Sequence, residues 1–246
     1  MNKKILFILF ITLSSFNINA ADNSNNKMLD DIAEGGRIYD KWWRELKLDK
    51  PNNTHHSYPA SANKKGSDTW RCKECHGWDY KGVKGAYAKG SHHTGIKGVQ
   101  DAQMMSVDEV ITVLKNKTHA FDKVMSTNAL QQVANFIKNG QVDIESYLDK
   151  KTLLADGNKK RGKVFFQKNC KECHGSDGKN INFKTASNPE FLGTVATENP
   201  VETIHKFRNG NPSAFYNGKR MPNMNTVLTL EEQIDLLSYL QTLPVK

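Results

Sequence analysis

The chain has 246 residues, which suits two small domains or one of moderate size at the usual length of about 100 to 200 residues per domain. Its formal net charge is +9, and an acidic face on a protein partner fits this charge better than nucleic acid, because no nucleic-acid recognition element is present. All 4 cysteines fall in two short strings, which leaves no thiol for a disulfide, a zinc ribbon or a cysteine nucleophile.

Residues 1–20 predict a secretory signal peptide. Lys3-Lys4 forms a basic start, Ile5 to Phe16 an apolar run, and Ile18-Asn19-Ala20 a small-residue cleavage site. The apolar run is shorter than the roughly 20 residues that span a bilayer, and no later stretch is long and apolar enough. We therefore expect an exported protein without a transmembrane segment once the signal peptide is cleaved.

Apolar residues at helical spacing predict three helices in the first half of the chain. They cover residues 35–46, 106–115 and about 128–138, and Ser106 with Glu109 matches a capping box at the start of the second. The polar residues 21–27 predict a disordered lead-in. Residues 48–69 and the glycine-rich residues 80–98 predict loops, and His55 and His56 in the first loop are interpreted as solvated side chains.

The second half restarts the same kind of pattern after a domain boundary near residue 150. Helices are predicted at 160–169 and 200–208, and a last helix opens at the capping box of Thr229 and Glu232 and runs to Leu240. Irregular loops are predicted at 176–200 and 211–226. The chain therefore divides into a signal peptide at 1–20 and domains at 21–150 and 151–246.

One six-residue string occurs twice and predicts two covalent haem sites. The copies are Cys72-Lys73-Glu74-Cys75-His76-Gly77 and Cys170-Lys171-Glu172-Cys173-His174-Gly175. Two thiols three positions apart can bond the two vinyl groups of a haem, while the histidine that follows binds the iron. We therefore predict two haem c groups, and their combination with a signal peptide indicates a bacterial periplasm.

The distal iron ligands are predicted from the register of the two halves. Met125 lies 49 positions after His76 and Met221 lies 47 positions after His174, and a methionine thioether opposite histidine raises the haem potential. Met224 competes with Met221 in the second site. In the first site the alternatives to Met125 are the histidines His119, His92 and His93. His205 is interpreted as a structural or surface residue.

With these residues, the chain resembles the dihaem c-type cytochromes built from two class I cytochrome c domains. The second half carries the resemblance through Gly162, the haem string, Arg208-Asn209-Gly210, Met221-Pro222 and the last helix. The resemblance implies an all-α fold of two tandem helical domains, each wrapping one haem with long irregular loops, and His174 and Met221 as axial ligands. The first half departs from the family, because 36 positions separate Gly36 from Cys72 against 8 from Gly162 to Cys170.

The function predicted from these features is electron transfer between redox protein partners, with six-coordinate irons rather than an enzyme site. Two competing hypotheses stay open at this point. One is a haem enzyme, a peroxidase or a sulfur-compound dehydrogenase, with its substrate at the first haem near the spare histidines. The other is an electron-accepting subunit of a larger dehydrogenase.

Overall fold

The computed structural model describes residues 18–212 and 215–245 and is mostly helical, as the sequence predicts. The predicted signal peptide lies, up to residue 17, outside the described residues. The elements are α1 Ile18–Glu45, α2 Cys72–His76, α3 Val107–Lys115, α4 Thr127–Asn139, α5 Lys159–Asn169, α6 Lys171–His174, α7 Leu192–Glu198, α8 Pro200–Asn209, β1 Phe215–Tyr216, β2 Lys219–Arg220 and α9 Leu230–Leu240. Among the described residues, none of the helices has the length and apolarity needed to cross a membrane.

Helix α1 is longer than its sequence pattern indicates. It begins at Ile18, so the prediction of a disordered lead-in at 21–27 is wrong. The helix is interrupted at Lys41, which has φ −156° and ψ 77°. The carbonyl oxygen of Asp40 accepts a hydrogen bond of 2.7 Å from Arg71 Nε. The guanidinium group thus satisfies a backbone acceptor at the point where the helix geometry breaks.

The two predicted capping boxes are confirmed. At the start of α3, Ser106 Oγ accepts from the Glu109 amide at 3.2 Å and the Glu109 carboxylate accepts from the Ser106 amide at 2.7 Å. Thr229 and Glu232 make the same reciprocal pair before α9. Both boxes satisfy amide groups that have no partner inside the helix, which explains why the two helices begin where the sequence predicts.

Two of the predicted loops contain regular structure. Residues 192–198 form α7 inside the loop predicted at 176–200, and residues 215–220 form the short antiparallel hairpin β1–β2 inside the loop predicted at 211–226. Helix α7 packs on α8 and α9 through the buried Gly193 and Ala196. Tertiary packing therefore stabilises a helix too short and too weakly patterned to be recognised from sequence.

The first and last helices of each half cross at a glycine. Gly162 on α5 lies against the Asp235 carbonyl and the Tyr239 side chain of α9, and a Cβ at position 162 would overlap that carbonyl oxygen. Gly35 on α1 meets the Gln132 carbonyl of α4 in the same way. The register that pairs Gly36 with Gly162 is therefore wrong by one residue, because Gly35 makes the equivalent contact. The same crossing is thus built twice.

We expect Gly162→Ala to destabilise the second half by about 1–3 kcal/mol, because the added methyl group meets backbone that cannot move without separating α5 from α9. Helix propensity alone predicts the opposite, a gain of about 1 kcal/mol. Urea unfolding followed by circular dichroism measures the sign. Lys163→Ala, at an exposed position of the same helix, is the control. A more stable Gly162→Ala protein would contradict the tight crossing.

Each half has its own apolar core, and α1 also packs on α8 of the second half. Gly36 lies against the Asn209 side chain, and Arg37 Nη1 donates to the Asn209 carbonyl at 2.7 Å. His205 Nε2 donates to the Gly36 carbonyl at 3.0 Å, and its Nδ1 accepts from Tyr80 Oη at 2.9 Å. His205 is 1% exposed, as the structural interpretation expects, and it joins the two halves.

Candidate haem sites

Both cysteine strings fold into a short helix that ends at a glycine. Helix α2 is followed by Gly77 with φ 84° and ψ 161°, and α6 by Gly175 with φ 82° and ψ 163°. A side chain at either position would be strained, because this backbone conformation is nearly restricted to glycine. Cys72 packs against the first core and Cys170 against the second. The end of the string, from the histidine to the glycine, therefore has nearly the same backbone geometry in both copies.

His76 makes the hydrogen bond that is expected of a metal-binding histidine. Its Nδ1 donates to the carbonyl oxygen of Lys97 at 2.8 Å, which fixes the tautomer and leaves the Nε2 lone pair available. Burial lowers the pKa of His76 to about 4, so the ring is neutral at physiological pH. The carbonyl comes from the loop predicted at 80–98, which here positions the imidazole.

His174 differs from His76 in this contact. Its Nδ1 is buried and has no hydrogen-bond partner among the described atoms. Burial lowers the pKa of this ring as well. Without an acceptor at Nδ1, the imidazole is the weaker electron donor to a bound metal. The two candidate sites are thus chemically different although their strings are identical.

The residues present fit a covalently attached haem. Burial raises the pKa of Cys72, Cys75 and Cys170 to about 12, so these groups are neutral thiols rather than nucleophilic thiolates. Thiols beside an apolar core, next to an imidazole with a free nitrogen, suit addition to haem vinyl groups and axial ligation. Within the described part of the chain, no cluster of three or more His, Cys, Asp or Glu residues is arranged to hold a bare metal ion.

The middle residues of the two strings lie in opposite environments. Lys73 and Glu74 are 6% and 2% exposed and form an ion pair, whereas Lys171 and Glu172 are exposed. Glu74 Oε2 also bonds His92 Nδ1 at 2.9 Å. Burial alone would raise the pKa of Glu74, but His92, Lys73 and Arg71 outweigh it and lower the pKa to about 2. The first string is covered by protein and the second faces solvent.

A buried ion network lies between the first string and the second half. Asp40 accepts from both Arg71 and Lys206 and is 1% exposed. Lys206 and Lys73 each place their ammonium group 5.1 Å from the ring centroid of Trp78. Trp78 also packs on His205, with ring centroids 4.8 Å apart. This network covers α2 on the side that faces the second half.

The predicted methionine ligands lie in or beside the two cores. Met125 is buried in the first core, and its amide donates to the Phe121 carbonyl at 2.8 Å. In the second half Met224 is buried, and Met221 is partly buried against the same core. The assignments of Met125 and of Met221 over Met224 stay predictions.

Among the alternative histidines, His119 is the one that the structure brings next to His76. Their ring centroids are 6.3 Å apart, and the ring planes are inclined by 26°. His92 is held by Glu74, and His93 Nδ1 donates to the Tyr87 carbonyl at 3.1 Å. Nothing in the sequence spacing singled out His119 over the other two.

The interpretation of His55 and His56 as solvated residues is wrong for His55, which is buried. Three consecutive side chains of this loop donate to three consecutive carbonyl groups: His56 to Lys117 at 2.8 Å, Ser57 to Thr118 at 2.6 Å and His55 to His119 at 3.1 Å. We call residues 55–57 the strap. The insertion that separates the first half from the family pattern thus holds the segment that carries His119.

Residues 159–244, which are 86 of the 246 residues, match the family model described as Cytochrome c. This range begins at α5, ends after α9 and contains the second cysteine string. Searches of curated proteins and of solved structures found no match. Residues 159–244 are therefore similar to a cytochrome c domain, and this match supports a haem-based electron-transfer protein.

Proposed function

Because residues 159–244 are similar to a cytochrome c domain, we propose that the whole chain is a dihaem c-type cytochrome that carries electrons between redox partners. The main support is the repeated helix crossing: α1 and α4 cross at a glycine, as α5 and α9 do. Each of these helix pairs belongs to a half that contains one cysteine string. This supports two tandem cytochrome c-like domains, at 21–150 and 151–246. The boundary at residue 150 follows the sequence pattern, and Ile144 before it packs in the second core.

The chain's own residues supply attachment and ligation. Cys72 and Cys75 in the first domain, and Cys170 and Cys173 in the second, would hold the two haem c groups through thioether bonds. A haem bound in this way supplies a one-electron carrier. His76 and His174 would be the proximal ligands. Met221 is the proposed distal ligand of the second iron, with Met224 as its rival. For the first iron the candidates are Met125, which the register of the two halves favours, and the histidines His119, His92 and His93.

We further propose that the protein works in the bacterial periplasm and meets a partner with an acidic face. The signal-peptide pattern supports the location. Removal of Lys3 and Lys4 with the signal peptide leaves a net charge of +9 − 2 = +7, which supports an acidic face on the partner. Val164 and Val227, 70% and 60% exposed, line one shallow depression together with Arg161 and Lys168. Arg161 is paired with Glu231 and Asp235, so Lys168 supplies the positive charge at the edge of this apolar patch. An apolar patch beside a lysine, next to the helix that leads into Cys170, suits a transient electron-transfer complex.

A haem enzyme would need an open iron and free proton-transfer groups near the first haem. The histidines that motivate this alternative are engaged: His55 and His56 bond backbone carbonyls, and His92 bonds Glu74. These contacts favour the electron carrier. Stoichiometric binding of carbon monoxide to the native ferrous protein would reverse the preference, because it requires an open or labile iron site.

The proposal is tested by counting haems. We expect the mature holoprotein to contain two covalent haems per chain, measured by intact mass and by the pyridine haemochrome spectrum. Replacing Cys72 and Cys75 together with serine should leave one haem, and so should the same change at Cys170 and Cys173. A wild-type protein that carries a single haem, removed only by the second pair of substitutions, would contradict the dihaem proposal.

A further inference from the structure

We propose that His119, rather than Met125, is the distal ligand of the first haem iron, and that the strap at residues 55–57 is the device that positions it. This inference rests on the proposed dihaem function and names the ligand set of one of its two sites. It makes the first haem a bis-histidine site and leaves the second as a histidine–methionine site.

The separation between the His76 and His119 rings suits two ligands of one iron atom. An imidazole nitrogen binds a first-row metal ion at about 2.0 Å, so two imidazoles on opposite sides of one ion hold their ring centroids about 6 Å apart. The observed separation between His76 and His119 is 6.3 Å. The observed separation therefore matches that of two imidazoles bound to one iron atom.

The Nδ1 atom of each of the two rings faces an oxygen acceptor. Lys97 O can only accept, so His76 carries its proton on Nδ1. Asn116 Oδ1 accepts from the amide groups of Thr118 and His119 and lies 3.3 Å from His119 Nδ1, which therefore donates as well. Nδ1 of each ring thus faces an oxygen acceptor, and the His119 ring also contacts the Val113 carbonyl. An oxygen acceptor on the remote nitrogen is the usual second shell of a metal-bound histidine.

The strap holds the backbone of the loop that carries His119. His119 follows the end of α3 on a loop whose carbonyl groups at 117, 118 and 119 would otherwise lack partners from regular structure. His55 is oriented in turn, since its Nδ1 accepts from the Ser57 amide at 3.2 Å, and its ring packs on Trp70 with centroids 4.5 Å apart. Three donors on consecutive carbonyls fix the backbone of His119.

Packing in the first core accounts for Met125 without a bond to iron. It is buried in the first core, directly after the short 3-10 helix Phe121–Lys123 and before α4. A flexible thioether side chain is a common core filler. The first half also lacks the Met-Pro pair of the second, so the register that selects Met125 has no local motif behind it.

The test is electron paramagnetic resonance of the oxidised holoprotein, with haem content measured for every variant. We expect two low-spin signals from the wild type, and His119→Ala should convert one of the two to high spin, with recovery on addition of free imidazole. Met125→Leu and the histidine control His93→Ala should keep both signals. The wild type should also show the weak red absorption band of a methionine–ferric iron bond at an intensity of one per two haems.

Three outcomes would overturn the inference. In the first, Met125→Leu has a high-spin first haem while His119→Ala keeps both low-spin signals. In the second, the red band of the wild type has the intensity of two methionine–iron bonds. In the third, the wild type lacks the first haem, which overturns the proposed function as well. The band needs no variant, so it still tests Met125 as a ligand where His119→Ala fails to fold. The strap is tested with the double variant Ser57→Ala, His55→Phe. We expect the rate of carbon monoxide binding to the first ferrous haem to rise about 10-fold or more in this variant. An unchanged rate would overturn the positioning role of the strap.

Discussion

Replacing Asp40 with asparagine is expected to lower the free energy of unfolding by about 3–5 kcal/mol. Its carboxylate is buried and bonds both Arg71 and Lys206, while its backbone carbonyl accepts from Arg71 as well. An asparagine amide leaves Lys206 without this anion and Arg71 with only its longer contacts to Asp68 and Glu74, at 3.9 and 3.6 Å. The loss therefore reflects the unpaired charges that remain more than the value of the original ion pairs.

Urea unfolding of the holoprotein at neutral pH measures this loss, with Asp122→Asn at an exposed position as the control. Burial alone would raise the pKa of Asp40, but Lys206 and Arg71 outweigh it and hold the pKa well below its usual range. The stabilisation is therefore complete above about pH 4 and is lost as the pH falls below that value. Equal unfolding midpoints for the two variants would show that Asp40 is not the anion of this network.

The second large effect is a pH dependence that His205 imposes on the folded protein. Burial lowers the pKa of His205 to about 3, against an ordinary value of 6.5. Unfolding therefore takes up a proton between these two values, and stability falls as the pH drops below 6.5. Between pH 7.5 and pH 4.5 we expect the wild type to lose about 2–3 kcal/mol through this residue alone.

The measurement compares urea midpoints at pH 7.5 and pH 4.5 in the wild type and in His205→Gln. Glutamine can donate to the Gly36 carbonyl and accept from Tyr80, as the histidine does, but it does not titrate. On acidification, we expect His205→Gln to lose about 2–3 kcal/mol less free energy of unfolding than the wild type. His93→Gln, at an exposed position, should behave as the wild type. The same loss in all three proteins would assign the acid sensitivity to other groups.

Helix starts were predictable from sequence because their causes are local. Ser106 with Glu109, and Thr229 with Glu232, form their hydrogen bonds within four residues. The length of α1, the existence of α7 and the hairpin at 215–220 depend on partners elsewhere in the chain. No window of neighbouring residues contains that information, and the prediction of loop or disorder at these places was wrong for that reason.

The candidate haem sites divide in the same way. The thiols and proximal histidines lie in one contiguous string, so their chemistry could be derived from six letters. The partner of His76 across the iron is non-local, and spacing alone favoured Met125 over His119. What separates the two residues is the contact of His55, 64 positions away, with the His119 carbonyl. A histidine pair in a polar loop gives no sign of that contact in the sequence.

The packing of α1 on two different partners has a consequence for the order of folding. Gln132 lies 97 positions after Gly35, but His205 and Asn209 lie 169 and 172 positions from the α1 residues that they bond. Closing the longer loop costs more chain entropy before any contact returns it. We expect each half to assemble around its own glycine crossing first. The polar contacts of Arg37 and His205 then form late, as a docking step between two folded halves.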